Sequence, residues 1–129
     1  MDTKRLFRQL AYLIIFIFTL NFLANKFHWY SLIWWFDVFM HFTGGVWLGL
    51  VFVWFLYKRG HSVALNFPLI LKAVAWILLV GIGWEVFEFY FINHLAQNGF
   101  DRFDTVSDLL LDLSGGVCAI LYLWKKQQN

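Results

Sequence analysis

Cysteine and charge are both scarce in this chain. A single cysteine, Cys118, stands among 129 residues, which excludes an internal disulfide and, with no paired Cys/His spacing, a zinc finger. Charged residues make up 14% of the chain and the net charge is +2, with the basic residues scattered. No nucleic-acid surface is expected from so weak a field. No low-complexity tail or linker divides the sequence, so residues 1–129 read as one domain.

What is abundant is apolar: 61% of residues are hydrophobic and 22% aromatic. A small soluble domain buries only about 60–70% of the surface its unfolded chain exposes, so this composition points to lipid as the solvent. A hydrocarbon core of about 30 Å needs roughly 20 apolar residues per helix. Four stretches meet that length: Leu6–Leu23, Ser31–Tyr57, Pro68–Asn93 and Thr105–Trp124. The expected fold is all-α, a polytopic membrane protein with a four-helix transmembrane bundle. Ser31 is expected to cap the second helix, Asn66 with Pro68 to start the third, and Asp104 or Thr105 to cap the fourth. The basic residues before the first run raise the question of a signal peptide; no small-x-small cleavage site follows it, and the segment reads as a retained helix.

Eight of the ten basic residues, Lys4, Arg5, Arg8, Lys58, Arg59, Lys72, Lys125 and Lys126, fall on one side of these spans, against Lys26 and Arg102 on the other. The positive-inside rule then puts both termini in the cytoplasm. Trp29, Tyr30, Trp34 and Trp35 outside, and Trp54, Tyr57, Tyr122 and Trp124 inside, read as lipid-anchoring belts.

Five of the eight acids, Asp37, Glu85, Glu88, Asp108 and Asp112, lie inside spans. An Asp at a helix centre costs about 2.5–3.5 kcal/mol on insertion scales. Five such groups cost about 10–15 kcal/mol, the stability of a whole domain, unless they face one another across something that compensates them. At 1.5 Å per residue, Asp37 and His41 lie about 9 and 15 Å below the outer end of their span, Glu88 and Glu85 about 8 and 12 Å, and Asp108 and Asp112 about 6 and 12 Å. That is one layer. Spacings of three and four place each set on a single helix face.

Asp37-Val-Phe-Met-His-Phe-Thr-Gly-Gly-Val46 also aligns without gaps on Asp108-Leu-Leu-Leu-Asp-Leu-Ser-Gly-Gly-Val117. Both segments run from outside to inside, so two pseudo-symmetric helical hairpins are expected. Gly44, Gly45 and Gly49, Gly115 and Gly116, and Gly81 with Gly83 read as small-residue packing surfaces. His28 and His61 read as interfacial, and Trp84 and Tyr90 as packing residues.

Clustered carboxylates need protons or a cation. Hard oxygen ligands plus one imidazole suit Mg²⁺, Mn²⁺, Ca²⁺ or Zn²⁺. The expected ligands are Asp37, His41, Glu85, Asp108 and Asp112, with Glu88 as general base and His41 as ligand or base. Asp104, Arg102 and His94 would line the entrance. A protonated structural network and a proton or ion pathway are the alternatives. The first reading is a metal-dependent hydrolase or transferase acting on a lipid or lipid-linked phosphate at the outer leaflet. A proton- or cation-coupled transporter and a membrane scaffold subunit stand beside it, and association into homo-oligomers is compatible with all three.

Asp37-x-x-x-His41-Phe-x-Gly-Gly, Trp84-Glu85-x-x-Glu88 and Asp104-Thr-x-x-Asp108-x-x-x-Asp112-x-x-Gly-Gly together resemble the VanZ-like and YjdF-type small bacterial membrane proteins. With Val38 after Asp37, and Val86-Phe87 between the two glutamates, the pattern is nearer the YjdF type. The resemblance covers the last three helices and implies a shared architecture and shared polar residues.

Overall fold

The computed structural model describes residues 2–93 and 102–129. Among the described residues four helices are long and apolar enough to cross a membrane, and there is no strand. Helix α1 (Thr3–Phe27) starts where the Asp2 carboxylate accepts a hydrogen bond from the Lys4 N–H at 2.9 Å. It ends at His28, in the left-handed region at φ 59°, whose N–H returns to the Ala24 carbonyl.

A four-residue helix, α2 (Trp29–Leu32), then folds back before α3 (Phe36–Lys58) begins. This corrects the expectation for Ser31, which lies within α2. Trp35 takes the N-cap position of α3 without a side-chain cap hydrogen bond. The fold-back also corrects half of the outer aromatic belt. Trp29 and Tyr30 pack around Phe36, with ring centroids 5.8 and 5.0 Å away, edge to face, beside buried Ala24 and Met40. Trp34 and Trp35 are exposed, as an anchor should be.

After the loop, α4 (Phe67–Phe87) starts as its sequence suggests: Asn66 Oδ1 accepts from the Leu69 N–H at 2.9 Å and Pro68 occupies the first turn. Its last turn widens into a π-helical segment, Glu88–Asn93. The last helix, α5 (Arg102–Gln128), begins before Asp104 and Thr105, so these two stand inside its first turn and do not precede it.

Helices α3 and α5 run parallel and touch backbone to backbone. A Cβ at Gly45 would overlap the Asp112 main chain, one at Gly115 would overlap Phe42, and one at Gly49 would lie 2.6 Å from the Gly116 carbonyl. Lipid tails are as apolar as leucine, so close approach of small residues replaces the hydrophobic effect as a source of helix association. Gly44 and Gly83 take no part, for a Cβ at either would meet nothing within 4 Å. α1 is antiparallel to α3, with the Trp47 indole N–H donating to the Leu10 carbonyl at 3.0 Å and the Phe7 and Trp54 rings 5.5 Å apart. α4 is antiparallel to α5, with Ile77 against Gly116 and Gly81 against Leu109.

Both chain ends come to one end of the bundle. There Leu6, Val53, Val63, Ala73, Ile120 and Leu123 form a buried apolar cluster. Gln127 ties α5 to the α3–α4 connection: its Oε1 accepts from the Tyr57 hydroxyl at 2.8 Å and the Val63 N–H at 3.0 Å, and its Nε2 donates to the Val63 carbonyl at 2.7 Å.

Candidate functional site

The opposite half of the bundle gathers the acids. Because α3 starts at Phe36, Asp37 sits in its first turn, where the partial positive charge of the helix N-terminus favours a carboxylate. His41 follows one turn on. From α5, Asp108 and Asp112 point at the same imidazole and are 2% and 6% exposed, the two buried charged residues of the described chain. The space for Asp112 comes from Gly81, since a Cβ there would lie 2.9 Å from Asp112 Oδ2.

Both ring nitrogens of His41 face carboxylates. Nε2 is 3.5 Å from Asp37 Oδ1 and 3.3 Å from Asp108 Oδ2, while Nδ1 is 3.5 Å from Asp112 Oδ1. A neutral imidazole has one donor and one acceptor nitrogen. With acceptors on both sides, one nitrogen of the neutral ring faces a carboxylate lone pair to lone pair. The arrangement is consistent only with an imidazolium, or with a proton or cation between that nitrogen and its neighbours.

Two sets of ligand atoms lie within 4.8 Å of one another: Asp37, His41 and Asp108 form the first, and Glu85, Glu88 and Asp108 the second. Asp108 belongs to both. Asp112 belongs to neither and stands on the far side of the ring. Five carboxylates and one imidazolium sum to −4 if all are ionised, a charge that a poorly solvated site does not hold without protons or a metal. The residues expected from the sequence are therefore brought together across α3, α4 and α5. Of the expected entrance, His94 and the side chains of Arg102 and Asp104 lie outside the described residues.

Three supporting residues escaped the sequence reading. Trp84 donates its indole N–H to Glu88 Oε1 at 3.0 Å, and Thr105 donates its hydroxyl to Glu85 Oε2 at 3.4 Å. The i, i+4 spacing of Trp84 and Glu88 was the available signal for the first. Tyr30 is the third. Its hydroxyl donates to Asn21 Oδ1 at 2.7 Å and its pKa is pushed up to about 12, by burial first and then by the negative fields of Asp37 and Glu88.

Residues 2–129 match the family model described as "Predicted membrane protein (DUF2238)". No curated protein and no solved structure matches the chain.

Proposed function

The chain belongs to the DUF2238 family of predicted membrane proteins, and from that premise we propose that its carboxylate layer holds a divalent cation for hydrolysis or group transfer on an amphiphilic substrate. The observation that carries the reading is the double-sided environment of His41. Its Nε2 looks at Asp37 and Asp108, and its Nδ1 looks at Asp112. Ligating histidines regularly donate their second ring N–H to a carboxylate, which fixes tautomer and orientation. Asp112 is placed for that task.

Neighbouring ligands on a tetrahedral ion at about 2.0–2.1 Å are themselves about 3.3–3.4 Å apart. The separations of Nε2 from Asp37 and Asp108, 3.5 and 3.3 Å, fit that requirement. In this reading Asp37, His41 and Asp108 are the ligands, and Glu85 stands beside them. Glu88, held by Trp84, accepts the proton of an attacking water. The cation supplies Lewis acidity toward a phosphoryl or acyl oxygen. Asp108 also completes a group with Glu85 and Glu88, and these three residues would hold a second ion, with Glu88 then a ligand.

With both termini cytoplasmic, the orientation that the positive-inside asymmetry supports, the layer lies in the outer half of the membrane and the substrate is a lipid or lipid-linked phosphate of the outer leaflet. The resemblance to VanZ-like and YjdF-type proteins agrees with a bacterial inner-membrane location. Transport is the weaker reading, because the other half of the bundle is closed by the apolar cluster of Leu6, Val53, Val63, Ala73, Ile120 and Leu123.

The test is elemental analysis of purified protein and of Asp108→Asn, with Lys72→Gln as a control for charge. One or two ions per chain, lost in Asp108→Asn and kept in Lys72→Gln, support the proposal. Equal metal content in all three would overturn it.

A further inference from the structure

A second feature lies at the other end of the bundle. Among the described residues α1 and α5 each pack on α3 and not on one another, which leaves a groove of about 1000 Å³ between them. Its mouth is basic and polar, lined by Arg5, His61, Ser62 and Lys126. The Asp2 carboxylate at the rim is engaged as the cap of α1. Beyond Gln9, one turn along α1 from Arg5, the walls are apolar: Leu13, Val46, Leu50, Ala119 and, furthest along α3, Phe42. From Tyr57 at the mouth to Phe42, α3 rises about 22 Å, more than the roughly 15 Å of hydrocarbon in one leaflet.

We propose that this groove binds a single anionic phospholipid, its phosphate at Arg5 and Lys126 and one acyl chain along α3. Charge and shape select this occupant together. A basic mouth opening onto an apolar trough matches an amphiphile with a negative head, and basic pockets between membrane helices bind anionic headgroups. A free anion would use the mouth and leave the trough empty. A second copy of the chain, entering with its ends on the same side, would bring its own Arg5 and Lys126 against these. The site is independent of the carboxylate layer and of any metal there.

Cys118 is the one cysteine of the chain and lines the groove, so it reports on occupancy. The experiment is native mass spectrometry of the full chain in detergent with phosphatidylglycerol or phosphatidylcholine, paired with maleimide labelling of Cys118. The expected result is one phosphatidylglycerol bound in preference to phosphatidylcholine, with Cys118 labelling slowed by the former. In Arg5→Gln/Lys126→Gln that preference falls by roughly thirtyfold, the effect of two basic residues near a membrane surface. The Arg59→Gln/Lys72→Gln variant, which removes the same charge elsewhere, keeps it. Glycerol phosphate, a headgroup without chains, does not compete. Equal binding of the two lipids, equal effects of the two double variants, or displacement by glycerol phosphate would each overturn the proposal.

Discussion

Asp112 stands behind His41: its Oδ1 is 3.5 Å from Nδ1, on the side of the ring away from Asp37 and Asp108. The two aspartates of α5, one turn apart, thus face different nitrogens of the ring. If Asp108 is a ligand and Asp112 an orienting partner, their neutral variants differ in kind. Asp112→Asn should weaken divalent-metal affinity by about 10–100-fold while leaving stoichiometry at saturation unchanged, and Asp108→Asn should abolish binding. Calorimetric titration of the two variants checks this, and identical losses would remove the distinction.

The glycine pair at the α3–α5 contact offers a sharper test of the packing. A Cβ at Gly45 overlaps the Asp112 main chain, whereas one at Gly44 meets nothing. Gly45→Ala should destabilise the protein by about 1–3 kcal/mol through overpacking. Gly44→Ala should be neutral or stabilise by up to about 1 kcal/mol, the helix-propensity difference. Thermal unfolding in detergent reads both; a Gly45 variant as stable as its neighbour would mean the helices do not touch there.

Gln127 holds the connection between α3 and α4 through three hydrogen bonds to Tyr57 and Val63. Removing its side chain leaves partly buried groups of Val63 without their partners. Gln127→Ala should therefore cost about 1–3 kcal/mol, and Tyr57→Phe, which gives up one bond, about 0.5–1.5 kcal/mol. Their order in an unfolding series is the check.

Tyr30 carries a pH signature. Below the ordinary phenol value of 10, both folded and unfolded chains keep its proton, and Tyr30 adds no pH dependence. Between 10 and about 12 only the unfolded chain releases it, so stability falls as pH rises through that window and levels off above it. An ultraviolet difference titration of the wild-type chain against Tyr30→Phe should isolate one phenol ionising near 12. A difference step at 10 would place Tyr30 in water, away from Asp37 and Glu88.

The acid layer was readable because carboxylates in apolar helices are expensive, and their spacing reports the face they share. Asp37 with His41, Glu85 with Glu88, and Asp108 with Asp112 needed only helical periodicity. The start of α3 was not readable. The run from Leu32 to Phe36 is apolar and free of glycine and proline, so nothing local marks the break that turns Trp29 and Tyr30 inward. Tyr30 reaches the neighbourhood of the acids by that fold-back, a tertiary event with no sequence period. The glycines illustrate the same limit: Gly44 and Gly45 differ by one step around the helix, about 100°, and composition alone does not say which one looks at α5.

The backbone contact of α3 with α5 also sorts the two groups of candidate ligands by stiffness. Asp37, His41 and Asp108 ride on helices whose spacing is set by main chain against main chain at Gly45 and Gly115, a distance with no side chain to compress or rotate. Glu85 precedes, and Glu88 opens, the π-helical turn of α4, a wider and softer backbone. Selectivity between small and large divalent ions follows cavity rigidity as well as donor type. If the layer holds ions as proposed, the first group would be the fixed gauge of ionic radius and the second, on the π-helical turn, the one that yields.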